Sequence, residues 1–338
     1  MNAKRWIAIA AAAVVLVISV LFNSAYTLFQ SNLGSGIDEY MALEESDISE
    51  NVIEEGSGNS RIAVLEVEGT IQDTGDASSL LGSTGYNHDF FMKQLEQVRE
   101  DDTVKAVVLN VDTPGGGTLE SSQIHDEIVE IQEEAGKPVY VSMGSMAASG
   151  GYYISAPAEK IFVSPETLTG SIGVIMQGVN YSELAERIGI DFETIKSGPY
   201  KDIMSANRDM TEEERALMQE IVDQSYNAFV DVVMEGRDLS EEEVRAVADG
   251  RILNGRQAVE ADLADEFGLE EDAISQLRED YDLANAQVFE YGAPGTGLGS
   301  LLSMKVNSFL GNDMETKLVA ELLSNYNSPR LMYLYGEE

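Results

Sequence analysis

The chain has 338 residues, 43% hydrophobic and 24% charged, which is enough for a sizeable core in one large domain or two smaller ones. It has no cysteine and only two histidines, His88 and His125, so disulfides, thiolate metal sites and a three-histidine metal centre are excluded within one chain. The 60 acidic residues outnumber the 21 basic ones for a formal charge of −39, a surface that repels nucleic acid and anionic lipid.

The acids are spread along the chain rather than gathered in a tail, which fits a surface suited to salty surroundings better than a patch for one cationic partner. At the N-terminus, Lys4 and Arg5 precede a run without charge over residues 6–22, and no charge follows before Asp38. About 20 such residues cross a bilayer as a helix. The reading is a retained transmembrane anchor within residues 1–30, with the basic end in the cytoplasm and the rest of the chain outside. A cleaved signal peptide would have a shorter apolar stretch, and Ser24-Ala25-Tyr26 is a poor cleavage site. Residues 31–60, rich in Ser, Gly, Asp, Glu and Asn, read as a flexible acidic linker, with order expected from Arg61.

From there strands and helices alternate, which argues for an α/β fold. Residues 62–67 read as a strand, 89–99 as a helix and 104–111 as a strand buried on both faces. A turn at Gly115-Gly116-Gly117 leads into a helix over 118–134 with Leu119, Ile124, Ile128 and Ile131 expected inward. Short strands are predicted over 139–143, 160–164, 169–176 and 191–195, with helices starting at Ser149 and spanning 181–188. Thr211 with Glu214, and Ser240 with Glu243, open two further helices by capping patterns. Helical stretches are also predicted over 255–264, 270–277 and 315–324. The domain is expected over residues 61–290. Residues 291–338 form a C-terminal segment, glycine-rich at first and apolar at its end, from Leu331 to Tyr335.

Four segments carry candidate chemistry. Ser149, in Ala-Ser-Gly-Gly-Tyr at a predicted helix start, stands where free backbone N–H groups favour a developing negative charge. An ordinary N-cap serine has the same setting. Gly150 just after it, and Gly116 in the glycine run, could bring two N–H groups to a carbonyl oxygen; without a following Lys-Ser/Thr, a phosphate loop is unsupported. Lys201, in Ser-Gly-Pro-Tyr-Lys, could take a proton from serine if burial stripped its own charge, although most lysines are simply solvated. Ser171, in Thr-Gly-Ser-Ile-Gly-Val, could aim such an amine or be an ordinary strand serine. His125 sits on the helix after the glycine run and His88 in a polar loop, neither in a catalytic context.

Together, Pro-Gly-Gly-Gly, Ala-Ser-Gly-Gly-Tyr, Thr-Gly-Ser-Ile-Gly-Val and Ser-Gly-x-x-Lys, in this order, resemble the bacterial signal peptide peptidase A family in its short Gram-positive form. The resemblance covers roughly residues 61–269 and the N-terminal anchor. It implies the Clp protease and crotonase fold of ββα units, and a Ser/Lys dyad hydrolase. In it Ser149 is the nucleophile, Lys201 the general base, Ser171 its positioner, and Gly116 and Gly150 the oxyanion hole. It further implies a homo-oligomeric ring with sites shared between neighbours, acting on remnant signal peptides and other unfolded apolar peptides at the outer face of the cell membrane. No cofactor, metal or nucleic acid is called for. Two alternatives stay open: an acyl-CoA-type enzyme using the same glycines, and a non-catalytic membrane-associated assembly protein. The apolar C-terminal end looks like a peptide that such a site would accept. It could occlude the site, be trimmed by it, or pack on a neighbour.

Overall fold

A computed structural model describes residues 48–73, 86–292 and 330–336. Nearly all of these belong to one compact unit, Glu50–Tyr291 with Leu298–Glu338. The predicted anchor, the helix over 315–324 and most of the acidic linker lie outside the described residues. Among the described residues no helix is long and apolar enough to cross a membrane. Strand structure starts earlier than Arg61, with β1 (Ser49–Glu54) and β2 (Ser57–Glu68).

The frame is a nine-stranded sheet. Its main strands are β2, β3 (Val104–Thr113), β5 (Val139–Ala148), β6 (Lys160–Val163), β10 (Glu266–Phe267) and β11 (Ala286–Gly292). The order is β1-β11-β2-β3-β5-β6-β10, and the pairings from β11 through to β10 are all parallel. At one end β7 (Leu168–Gly170) extends the C-terminal half of β5 in parallel, and β9 (Ile252–Asn254) pairs antiparallel with β7. A parallel sheet needs cover on both faces, and alternation along the strands divides the core accordingly. Ile62, Val64, Ala106, Val108, Tyr140 and Phe162 meet Ala273, Ile274 and Leu277 of α8 (Glu270–Asp280). The intervening Ala63, Leu65, Val107 and Leu109 are also buried. That second face is covered by α1 (His88–Glu100), α2 (Thr118–Glu133) and α3 (Gly150–Ser155). Each fully buried Val, Leu or Ile side chain contributes about 1.5–3 kcal/mol of transfer free energy.

The remaining helices are α4 (Ser182–Arg187), α5 (Glu212–Arg237), α6 (Glu241–Val247) and α7 (Gly255–Glu260). The sequence-predicted capping boxes are present: Thr211 with Glu214 opens α5, and Ser240 with Glu243 opens α6. Asn254 and Gln257 cap α7 in the same way.

Several expectations change. The glycine run is strand β4 (Gly115–Gly117), paired with the C-terminal strand β12 (Leu331–Leu334), which also pairs with β8 (Ile175–Met176). The single strand expected over 169–176 is thus two, β7 and β8, broken at Ser171. Residues 191–195 form no strand. His88 is not in a polar loop but buried at the start of α1, bonded to Tyr86 Oη and Gln123 Oε1. Leu119 is 67% exposed rather than inward.

Candidate active site

The site lies at the C-terminal ends of β3 and β5, where parallel strands deliver their following loops to one edge. After β5 the chain turns at Ser149, φ 52° and ψ −111°, to enter α3. After β7 it turns at Ser171, φ 51°. A non-glycine residue at positive φ is uncommon and costs on the order of 1–3 kcal/mol where the backbone is strained. Two such serines stand side by side. Ala148 of β5 is in register with Gly170 of β7, so the residues that follow are Ser149 and Ser171. Ser149 N–H donates to Gly170 O at 2.8 Å, and Ser171 N–H donates to Arg251 O at 2.8 Å. Both serines are buried.

The glycines approach from the other side. Ile71 N–H donates to Gly115 O and Gly117 N–H to Ile71 O, each at 2.8 Å, while Gly115 N–H donates to Thr113 Oγ1 at 3.0 Å. Successive strand amides face opposite edges, so the Gly116 N–H is directed away from Ile71 toward β12. Backbones crowd here beyond what a side chain would permit. A Cβ on Gly116 would lie 1.8 Å from Ile71 O, and one on Gly150 would lie 3.1 Å from Gly116 N. The Gly150 and Gly116 amides therefore border one small space.

The C-terminal strand enters that space. Tyr333 is in register with Gly116, and Leu334 with Gly115. A Cβ on Gly115, whose φ is +100°, would lie 2.0 Å from the Tyr333 carbonyl oxygen and 2.6 Å from the Gly150 amide nitrogen. The carbonyl of Tyr333 thus sits beside the two glycine amides. Its ring is buried between Tyr153 and Phe229, with centroids at 4.9 and 4.7 Å, and its hydroxyl donates to Ser225 O at 3.2 Å. Burial holds the Tyr333 hydroxyl well above the usual phenol range. Tyr335 N–H continues the pairing by donating to Pro114 O at 2.9 Å. Beyond Leu334 the groove opens into a cavity of about 650 Å³ beside Ser171, lined by Ile172, Val174, Val222, Tyr226 and Tyr335 among others.

Lys201 is elsewhere. It lies in an irregular loop and is exposed. Among the described residues, no hydrogen bond joins its amine to Ser149 or Ser171 of the same chain. The structure thus brings together Ser149, Ser171, Gly116 and Gly150, and among the described residues joins Lys201 to none of them by a hydrogen bond. Tyr153, Phe229 and Ser225 were not singled out by sequence reasoning. Tyr153 directly follows the Ala-Ser-Gly-Gly-Tyr segment, but Phe229 and Ser225 are ordinary positions of a long helix without local signal. Among the described residues no group of three or more acidic or histidine side chains is placed to hold a metal ion.

Residues 131–284 match the model of peptidase family S49. A protein of Enterococcus faecium with the provisional name signal peptide peptidase SppA is 40% identical over 345 residues, 99% of each chain. The chain belongs to peptidase family S49. It is a serine peptidase. Longer relatives include Protease 4 of Salmonella typhi, 32% identical over 86% of this chain and 46% of its own length. The chloroplastic serine protease SPPA of Arabidopsis thaliana is 32% identical over 77% of this chain and 39% of its own length. The stretch matched by the S49 model contains Ser149, Ser171 and Lys201, while the glycine run precedes it.

Proposed function

We propose that this S49 peptidase uses Ser149 as nucleophile and Lys201 of a neighbouring copy as general base, and that it degrades remnant signal peptides and other unfolded apolar peptides outside the cell membrane. One observation carries the reading. The Tyr333 carbonyl lies against the Gly116 and Gly150 amides, at the edge where Ser149 turns out of the sheet. That is the geometry a scissile carbonyl needs.

In the proposed reaction the uncharged Lys201 amine takes the Ser149 hydroxyl proton as the oxygen attacks the peptide carbonyl. The Gly116 and Gly150 N–H groups stabilise the oxyanion; a single such donor is worth on the order of 100-fold or more in rate. The lysine ammonium returns the proton to the leaving amine, and an ester to Ser149 remains. Water, deprotonated by the same amine, releases it. Ser171, adjacent to Ser149 in the register, would accept from the amine and aim it. Activity should rise with pH as the amine loses its proton and then level off.

A shared site accounts for a Lys201 amine that is exposed and unbonded to Ser149 among the described residues. The segment leading to Lys201 exposes Leu184, Ile188 and Ile195, the last 96% accessible, as a subunit contact would require. A ring on the Clp protease and crotonase-type fold, with residues 1–30 as membrane anchor, 31–60 as linker and 61–290 as peptidase domain, completes the reading. The Enterococcus faecium relative named a signal peptide peptidase supports the substrate class.

The test uses purified full-length Ser149→Ala and Lys201→Ala on a fluorogenic apolar peptide. Each should be inactive alone. In a mixture co-assembled at equal amounts, a ring with heterologous contacts would pair an intact serine with an intact lysine in about one site in four. Activity in either single variant would overturn the dyad. No recovery on mixing would overturn the sharing.

A further inference from the structure

The loop that presents Lys201 has no helix or strand of its own from residue 196 to 209, yet one arginine ties it to the fold. Arg208 Nε and Nη2 donate to the two carboxylate oxygens of Asp202 at 2.9 and 2.6 Å. The same guanidinium donates from Nη1 and Nη2 to the two oxygens of Glu214 at 2.8 and 2.5 Å. Two bidentate forks on one planar group fix its orientation as well as its distance. Glu214 is a firm end to pull against. It is buried, and its carboxylate also accepts from Thr211 N–H at 2.9 Å to close the capping box of α5. Asp202 is the residue after Lys201. Its Oδ1 also accepts from Lys196 at 2.6 Å, and Lys196 donates to Pro199 O at 2.9 Å, so the backbone is held on both sides of Lys201. Among the described residues the Lys201 amine itself has no side-chain partner, so its position depends on this backbone.

We infer that Arg208 is a positioning residue for the Lys201 base, clamping Asp202 to Glu214 so that the amine is presented to the serine in one place. Isolated surface ion pairs contribute little to stability, so so complete a use of one guanidinium around a loop bearing a candidate base points to geometry. The inference rests on the reading of Lys201 as the base.

The test compares Arg208→Gln, Arg208→Lys, Asp202→Asn and Lys201→Ala in the assembled full-length protein, reading kcat, KM and the pH dependence of kcat on a fluorogenic apolar peptide. Misplacing a catalytic group by about 1 Å costs on the order of 100-fold. Arg208→Gln should therefore lower kcat roughly 10- to 100-fold with KM nearly unchanged. The pH at half-plateau should move upward, because a loosened amine spends more time in water and holds its proton. A merely structural loss of folded protein would scale the profile without moving it. Arg208→Lys keeps the charge without the fork and should restore only part of the rate. Combining Arg208→Gln with Asp202→Asn should cost no more than the worse single change. Should Arg208→Gln fail to fold, Asp202→Asn, which leaves the bond to Glu214, carries the same expectation. Lys201→Ala inactive with an unchanged kcat and pH profile in the clamp variants overturns the clamp alone. Lys201→Ala active overturns the lysine reading and the clamp with it.

Discussion

Replacing Tyr333 by alanine tests whether the C-terminal strand competes with substrate for the cleft. The ring is 3% exposed, lies 4.9 Å from Tyr153 and 4.7 Å from Phe229, and its hydroxyl donates to Ser225 O. Truncating a buried aromatic to alanine costs about 3–5 kcal/mol in a closed core. The neighbouring Leu331, Met332 and Leu334 are only partly buried, so the lower end applies here. About 3 kcal/mol is a little over two decades in the equilibrium between seated and released tail. A substrate that must find an open cleft has its apparent affinity reduced by the open fraction. If the wild-type cleft is open in about one molecule in a hundred, Tyr333→Ala opens most of them and raises kcat/KM by up to about 100-fold, through KM.

The assay is kcat/KM on a fluorogenic apolar peptide at low concentration for three full-length proteins: wild type, Tyr333→Ala, and a chain ending before Leu331. Intact mass at the start and end of each run shows whether the tail is still present. Scission after Tyr333, the residue whose carbonyl faces Gly116, would remove residues 334–338 in the wild type and not in Ser149→Ala. The reasoning is refuted if neither the substitution nor the truncation changes KM while the mass stays intact. If truncation lowers KM and Tyr333→Ala does not, the tail still competes but the aromatic pocket is not what seats it.

Two further changes probe the site and the frame. Gly116→Ala would place a Cβ 1.8 Å from Ile71 O and 2.5 Å from Ile71 C, so β4 must shift; kcat should fall by on the order of 100-fold or more as the N–H leaves its position, and a wild-type kcat would remove Gly116 from the oxyanion hole. Glu66 sits among Glu290, Glu68 and Glu270, and burial first, then these like charges, raise its carboxyl above the ordinary 4.5. Such a group binds more protons folded than unfolded, so its contribution to stability is lost as pH rises from about the ordinary value through the raised one. Glu66→Gln should therefore raise Tm at neutral pH, with the gain shrinking at acid pH and in high salt; a Tm difference independent of pH would contradict the assignment.

What the sequence disclosed follows from how far apart the deciding residues lie. The apolar run in β3 announces a strand covered on both faces, and Thr211 with Glu214 announces the start of α5, because both signals are complete within a few residues. Leu119 misleads by phase. Ser121, Ile124, Ile128 and Ile131 make the buried stripe of α2 at spacings of three and four, and Leu119, two before Ser121, falls off it. Residues 191–195 alternate like a strand but pair with no strand among the described residues, and alternation without a partner does not make a strand. The glycine run reads as a turn because its partners, Ile71 and Tyr333, are remote in sequence. The side-by-side placement of Ser149 and Ser171 depends on the β5–β7 register, which no local pattern encodes. That Lys201 is exposed rather than buried is likewise written in no local pattern.

The way the tail is held also bears on what can take its place. β12 is paired on both edges, with β4 along one and β8 along the other. Main-chain bonding of this kind gives affinity without regard to sequence, while alternate side chains meet the pockets; here Tyr333 is buried and its neighbours are partly exposed. A peptide between two strands must offer N–H and C=O groups on both of its edges at once. A helix has spent those groups on itself, and a strand inside a folded sheet has spent at least one edge on its neighbours. A folded protein could therefore enter only by opening locally and giving up the packing and hydrogen bonds of that segment, a free energy that rises from near zero at frayed ends to the whole stability of the fold in its core. A short apolar segment already released from helix and sheet bears no such unfolding cost. On the proposed reading, selection for unfolded chains would arise at the cleft itself.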